Sequence, residues 1–156
     1  MWHISNELGG ECHCELCQNA FRQWLKKKYD NDLDKLNHAW WSTFWSHNVT
    51  DWEQIHSPRY HGEPDIIMTG LYLDWRNFVT YQTTDFMKME IDTIKSVCPD
   101  IPVTTNLMWL PQDVDYHHLK DYIDVISWDS YPTWHEEDQI RCAVDTAFNH
   151  NYFRSL

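Results

Sequence analysis

A chain of 156 residues is long enough for one domain with a hydrophobic core. Its 12 Lys and Arg stand against 24 Asp and Glu, and the resulting formal charge of −12 argues against nucleic acid or an anionic membrane surface as partner, since both need a basic face. No stretch approaches the about 18 uninterrupted apolar residues of a membrane span.

Met1 to Ser5 reads as a short strand, after which Asn6-Glu7 and the loop glycines Gly9-Gly10 stop the extended pattern. Within a dozen residues of Asn6-Glu7 comes Cys12-x-Cys14-x-x-Cys17, three cysteines in six positions. Three thiols packed this tightly suit a soft divalent cation such as zinc, which takes four ligands tetrahedrally; a fourth could be His13, Cys98, Cys142 or a residue from outside this sequence. Reduced packing cysteines or a disulfide are the plainer readings. The cysteine count of five is odd and no secretory leader precedes Met1, which favours metal over a disulfide framework and a cytoplasmic location. A closed sulfur site is structural, because catalysis needs an open coordination position.

Helical spacing predicts a helix over Cys14 to Tyr29 with Leu16, Ala20, Phe21, Trp24 and Leu25 on its apolar face. Lys26-Lys27-Lys28 closes it, complementing the helix dipole on a solvated face. Asp32 is expected to cap a second helix reaching Trp40, with Leu33, Leu36 and Trp40 in register. Trp41 to Gly62 reads as a long aromatic-rich loop with Trp45, Trp52 and Tyr60, and loops of that length are commonly functional. Asn48-Val49-Thr50 matches a glycosylation acceptor and is read as accidental.

Pro64 opens a helical stretch to about Val97, with one apolar group at Leu71, Trp75, Phe78 and Val79 and another at Phe86, Met87, Ile91, Ile94 and Cys98; Pro99 stops it. Val103-Thr104-Thr105 is a strand ending in Asn106. A short helix near His117 to Tyr122, with His117 and His118 facing solvent, leads to a strand over Asp124 to Asp129 that stops before Tyr131-Pro132. Glu137 to Phe153 is the last helix. Strands alternating with helices imply an α/β chain with a parallel sheet, doubly wound or barrel. The third spaced glycine of a dinucleotide-binding loop is missing, which disfavours a nucleotide fold. Asn6-Glu7, Asn106 and Asp129 to Tyr131 each follow a strand, the catalytic face of a (β/α)8 barrel. Asp129 could support that mouth or satisfy backbone donors. Ten Trp and eight Tyr are unusually many, and rings combined with acidic and amide groups suit a sugar, although each ring alone is ordinary core.

Several stretches resemble the family 42 glycoside hydrolases, β-galactosidases with a zinc-binding cysteine cluster. They are Ile4-Ser5-Asn6-Glu7, Cys12-x-Cys14-x-x-Cys17-Gln18, Phe21-Arg22-x-Trp24-Leu25, Leu36-Asn37-x-Ala39-Trp40, Phe44-Trp45-Ser46, Thr105-Asn106-Leu107-Met108 and Ser127-Trp128-Asp129-Ser130-Tyr131-Pro132. The resemblance implies that residues 1–156 are part of a catalytic TIM barrel, about strands four to six with their helices. It implies Glu7 as general acid/base of a retaining β-galactosidase and Asn6 as its sugar-binding neighbour. It implies Trp45 and Tyr131 as sugar-contacting aromatics and Cys12, Cys14 and Cys17 as three ligands of a structural zinc. The family's fourth cysteine lies upstream of the acid/base strand and its nucleophilic glutamate after the seventh strand. No glutamate here matches that nucleophile; Glu11, Glu53, Glu63, Glu90, Glu136 and Glu137 fall in loops or on helices. The implied partner is a β-galactoside oligosaccharide, and the implied assembly of the whole protein is a homotrimer. Another retaining β-glycosidase of the same clan, or a non-catalytic zinc-binding module, are the competing readings. A partial barrel is expected to leave open sheet edges.

Overall fold

The computed structural model describes residues 1–58, 68–108, 114–135 and 138–156. The expectations placed on Tyr60, Gly62, Glu63, Pro64, Glu136 and Glu137 fall outside the described residues. Two compact units are present, one of residues 1–9 and 80–156, the other of residues 10–79.

The first unit is built on three parallel strands in the order β1 (Trp2–His3), β2 (Val103–Leu107), β3 (Val125–Trp128). Trp2 registers with Val103, Thr104 with Val125 and Asn106 with Ser127. Among the described residues the strands form an open three-stranded parallel sheet, not a closed barrel. In β2, Val103, Thr104, Thr105 and Leu107 are all buried, the pattern of a strand covered on both faces. Two of those residues are threonines, and Thr104 satisfies its hydroxyl sideways, donating to the Val125 carbonyl at 2.8 Å and lying 2.9 Å from Ser127 Oγ. Ser127 Oγ in turn donates to the Thr105 carbonyl at 2.8 Å. These side-chain rungs fasten β3 to β2 alongside the backbone ladder.

Helix α3 (Thr69–Val97) is one continuous element, and its second half supplies Met87 and Ile91 to this unit's core. Phe86, expected to be buried with them, is 46% exposed, because it lies one helical step from Met87. The short α4 (Tyr116–Leu119) buries Tyr116 and Leu119, while His117 and His118 are exposed as expected. Its N-cap Asp115 accepts from the His117 backbone N–H at 2.9 Å. Helix α5 (Gln139–Ser155) lays Phe153 flat on Trp128, with ring centroids 5.1 Å apart and planes 12° apart.

In the second unit, α1 (Glu15–Lys28) and α2 (Leu33–Trp40) pack on the first half of α3. Asp32 caps α2 as predicted, accepting from the backbone N–H groups of Asp34 and Lys35 at 2.9 and 3.2 Å. Phe21, Trp75 and Phe78 form an aromatic core, with Phe21 edge-on to Trp75 at 5.0 Å and tilted against Phe78 at 5.3 Å. Leu16 does not belong to it: the first turn of α1 leaves Leu16 80% exposed, and Gln18 and Arg22 are buried instead. The lysine run is not a wholly solvated face either. Lys28 pairs with the buried Asp74 and stands over the Trp24 ring at 5.1 Å, and Lys26 stands over Trp52 at 5.8 Å. The loop after α2 carries two short 3₁₀ turns, Ser42–Trp45 and Trp52–Gln54.

Candidate active site

The polar residues that follow the three strands meet at one side chain. Asn106, near the end of the central strand β2, accepts the Glu7 backbone N–H on Oδ1 at 3.1 Å. Its Nδ2 donates to Asn6 Oδ1 at 3.1 Å and to Asp129 Oδ2 at 2.9 Å. Asn6-Glu7 follows β1 and Asp129 follows β3, so the three strands are tied together at their carboxyl ends. In a (β/α)8 barrel that is the end where chemistry is done. Asp129 accepts from the Asn106 amide, and its own backbone N–H continues the ladder to the Leu107 carbonyl at 2.8 Å.

The Asn6-Glu7 segment is held in a conformation that ordinary residues avoid. Ser5 and Glu7 have φ of 45° and 48°, the left-handed region that costs an L-residue roughly 1–2 kcal/mol. The compensation is visible on both sides: Ser5 Oγ donates to Glu90 Oε2 at 2.5 Å, and Asn106 receives the Glu7 N–H. Asn6 and Glu7 are themselves exposed, so the carboxyl and carboxamide are presented to solvent on a fixed backbone. Glu90, a carboxylate on α3, is the anchor of this turn.

Tyr131 lies in the loop after β3 and is 79% exposed. It lines an open groove of about 400 Å³ with Trp128, Asp129, Cys142, Asp145 and Asn149. Trp45 closes the Ser42–Trp45 turn; its side chain lies outside the described part of the structure.

The thiol cluster sits where α1 begins. The donor sulfurs of Cys12, Cys14 and Cys17 all lie within 4.8 Å of one another, and Cys14 and Cys17 are 3.7 Å apart. A disulfide needs about 2.05 Å. Tetrahedral zinc with Zn–S of about 2.3 Å places neighbouring sulfurs roughly 3.8 Å apart, so the spacing fits a thiolate-bound cation. The Cys17 backbone N–H, with the Cys12 and Cys17 thiols, pulls Cys14 down to about 7. Burial, then the neighbouring sulfurs of Cys12 and Cys14, pushes Cys17 up to about 12. Among the described residues the donor group contains these three and no fourth.

His13, a candidate fourth ligand, is engaged elsewhere. Its Nδ1 lies 2.7 Å from Ser57 Oγ, its Nε2 lies 3.1 Å from Glu11 Oε2, and its ring stacks on Trp75 at 5.0 Å. The fully buried Gln18 completes the support: Nε2 donates to Ser57 Oγ at 2.7 Å and to the His13 carbonyl at 3.2 Å, and Oε1 accepts the Ser57 N–H at 2.8 Å. Sequence reasoning put Asn106 at a strand end on the catalytic face but gave it no bonding partners, and it assigned no role to Gln18. The signal was present in both cases, a glutamine directly after the last clustered cysteine and an asparagine at a strand end.

Comparison with known proteins places the chain in a family. The family Glyco_hydro_42, Beta-galactosidase, matches residues 1–156. The β-galactosidase BglY of Alicyclobacillus acidocaldarius is 57% identical over 156 residues, covering 99% of this chain and 22% of its own. GanA of Bacillus subtilis, also a β-galactosidase, is 52% identical over 164 residues, covering 100% of this chain and 24% of its own. Among solved structures, the β-galactosidase from Rahnella sp. R3 matches with a TM-score of 0.90 at 53% identity, over 98% of this chain and 22% of that one. Gan42B, a GH42 β-galactosidase, matches with a TM-score of 0.87 at 51% identity, over 95% and 22%. The chain thus spans 22–24% of the length of these relatives.

Proposed function

We propose, from the premise that this chain belongs to the glycoside hydrolase family 42 β-galactosidases, that it carries the acid/base half of a retaining β-galactosidase site. The observation that carries the reading is the junction at Asn106, which places Asn6-Glu7 at the carboxyl ends of three parallel strands. Glu7 is the general acid/base and Asn6 a contact to the sugar. Tyr131 and Trp45 are the aromatic contacts.

A retaining glycosidase needs two carboxyl groups about 5–5.5 Å apart. One protonates the departing glycosidic oxygen while the other attacks the anomeric carbon; the first then takes a proton from water as the glycosyl-enzyme bond is hydrolysed. Glu7 fills the first role. None of the other glutamates matches the nucleophile motif, so the nucleophile comes from outside residues 1–156 in this reading. Cys12, Cys14 and Cys17 would supply three ligands of a zinc ion, the fourth coming from outside residues 1–156 in this reading; such a site would tie the loop of Cys12 and Cys14 to α1 and supply no chemistry on the sugar. A β-galactoside oligosaccharide is the substrate, and a homotrimeric, cytoplasmic protein belongs to the same proposal. The relatives named above are all β-galactosidases, which favours this over another β-glycosidase or a zinc module.

The test is Glu7→Gln in the protein expressed from its full reading frame. Loss of an acid/base catalyst lowers kcat/KM by about 10²–10⁴-fold, and more for galactosides with poor leaving groups than for activated aryl galactosides. Unchanged hydrolysis of lactose by Glu7→Gln would remove the assignment.

A further inference from the structure

The Asn106 carboxamide leaves neither of its donors idle. An asparagine amide has two N–H donors and one acceptor oxygen. Here Nδ2 serves Asn6 Oδ1 and Asp129 Oδ2, and Oδ1 serves the Glu7 backbone N–H.

Asp129 decides which end of that amide faces which loop. A carboxylate only accepts and a backbone N–H only donates. With the amide reversed, Asn106 Nδ2 would oppose the Glu7 N–H, and its oxygen would oppose the Asp129 carboxylate. Both bonds would be lost, so a single orientation is compatible with its surroundings. The choice is then passed on. Asn106 presents an N–H to Asn6, so Asn6 must turn its oxygen inward, and its Nδ2 is left at the outer end of the amide. Asn6 is exposed, so that group is offered as a donor to whatever occupies the mouth.

We infer that Asp129 and Asn106 are positioning residues that set the polarity of the substrate contact: Asn6 meets the sugar as a hydrogen-bond donor. The sugar hydroxyl at that contact is an acceptor and sends its own proton elsewhere. The same two residues hold the left-handed backbone of Glu7, since the orientation that serves Asp129 is the one that receives the Glu7 N–H. This rests on the glycosidase reading and adds to it a direction for the Asn6 bond and a role for a carboxylate that touches no substrate.

A double-mutant cycle tests it in the protein expressed from its full reading frame. Asp129→Ala removes the group that discriminates the two amide orientations, and Asn6→Ala removes the donor that receives the information. Hydrolysis of p-nitrophenyl β-D-galactopyranoside is measured for both single variants and the double variant. Asp129→Ala is expected to lower kcat/KM by roughly 10- to 100-fold in the parent and by a smaller factor in the Asn6→Ala background, where only its support of the Glu7 backbone is left to lose. Asp129→Asn, which keeps an acceptor oxygen, is expected to recover part of the loss. Equal losses in both backgrounds, or no loss in either, overturn the relay. If Asp129→Ala does not fold, Asp129→Asn carries the same cycle. A parent that hydrolyses no galactoside would defeat the functional reading instead. In that protein, melting temperatures of Asn106→Ala, Asp129→Ala and their double variant still judge the network, with non-additive shifts supporting it and additive shifts overturning it.

Discussion

Asp74 Oδ2 accepts the indole N–H of Trp40 at 2.9 Å, tying α3 to α2 through a carboxylate that is 3% exposed. The same carboxylate receives the Tyr29 hydroxyl at 2.7 Å and pairs with Lys28. Burial, then the neighbouring Asp74 carboxylate, holds the Tyr29 hydroxyl well above its ordinary range, so it remains a donor. Asp74→Ala strands three donors and is expected to cost about 2–4 kcal/mol, read by urea denaturation. Asp74→Asn keeps one acceptor oxygen and is expected to fall between the two. A loss below about 0.5 kcal/mol for Asp74→Ala would show that the junction contributes nothing net.

Gly70 is a glycine because α2 lies against it. A Cβ at that position would stand 2.7 Å from both the Cα and the Cδ1 of Trp40, and backbone atoms cannot be moved cheaply. In an open helix, Gly→Ala stabilises by about 1 kcal/mol. Here Gly70→Ala is expected to destabilise, by about 1–3 kcal/mol from overpacking. The sign of the change in melting temperature checks it.

Gln18 is expected to govern the stability of the loop that carries Cys12 and Cys14 and, with it, the zinc affinity proposed for that loop. Gln18→Ala leaves the buried Ser57 N–H and the part-buried His13 carbonyl without their partner, at a cost of about 1–3 kcal/mol. Supporting groups around a metal commonly contribute 10–100-fold in affinity, and a loss of that size is expected in competition with a chromogenic zinc chelator. Cys12→Ser, Cys14→Ser and Cys17→Ser should each lower metal content more than Gln18→Ala does. A Gln18→Ala protein with unaltered zinc affinity would confine the residue to packing.

Asp124 closes the start of β2, accepting the Val103 N–H at 2.8 Å and the Lys95 ammonium at 3.0 Å. The Val103 N–H, then the Lys95 partner, holds its carboxyl below the usual aspartate range. A carboxyl lowered by folding stabilises the fold above its unfolded pKa of about 3.9, and that contribution disappears as pH falls through the folded value. The melting temperatures of the parent and Asp124→Ala are therefore expected to differ at pH 6 and to converge as pH falls below the ordinary aspartate range. A gap that stays constant with pH would assign the effect to the lost contacts alone.

Several local features were legible because their causes are local. Asp32 was read as a cap from its place ahead of a helical pattern, and it accepts two N–H groups of the first turn. Pro99 marked the end of α3, which stops at Val97. The three thiols are brought together by their spacing along one turn. The polar positions after β1, β2 and β3 were legible too, since strands and their ends follow from pattern and breakers. Leu16 misled because apolar character at the right spacing does not ensure a partner to pack on. Asn48-Val49-Thr50, read as an accidental match, belongs to a loop clip in which Asn48 Oδ1 accepts from Ser42 and Thr43 at 2.8 and 2.9 Å.

Residue order alone was enough to define an acidic α/β chain of parallel strands and helices, the Asn6-Glu7 turn and the Cys12, Cys14 and Cys17 cluster, because each depends on neighbours within a few positions. The partnerships of Asn106 with Glu7 and Asp129, of Gln18 with Ser57, and of Asp74 with Trp40 join residues 99, 23, 39 and 34 positions apart. No local period encodes them. A buried or orienting polar group is defined by the donors and acceptors that folding brings around it, and those are assembled only when the strands register and the helices pack.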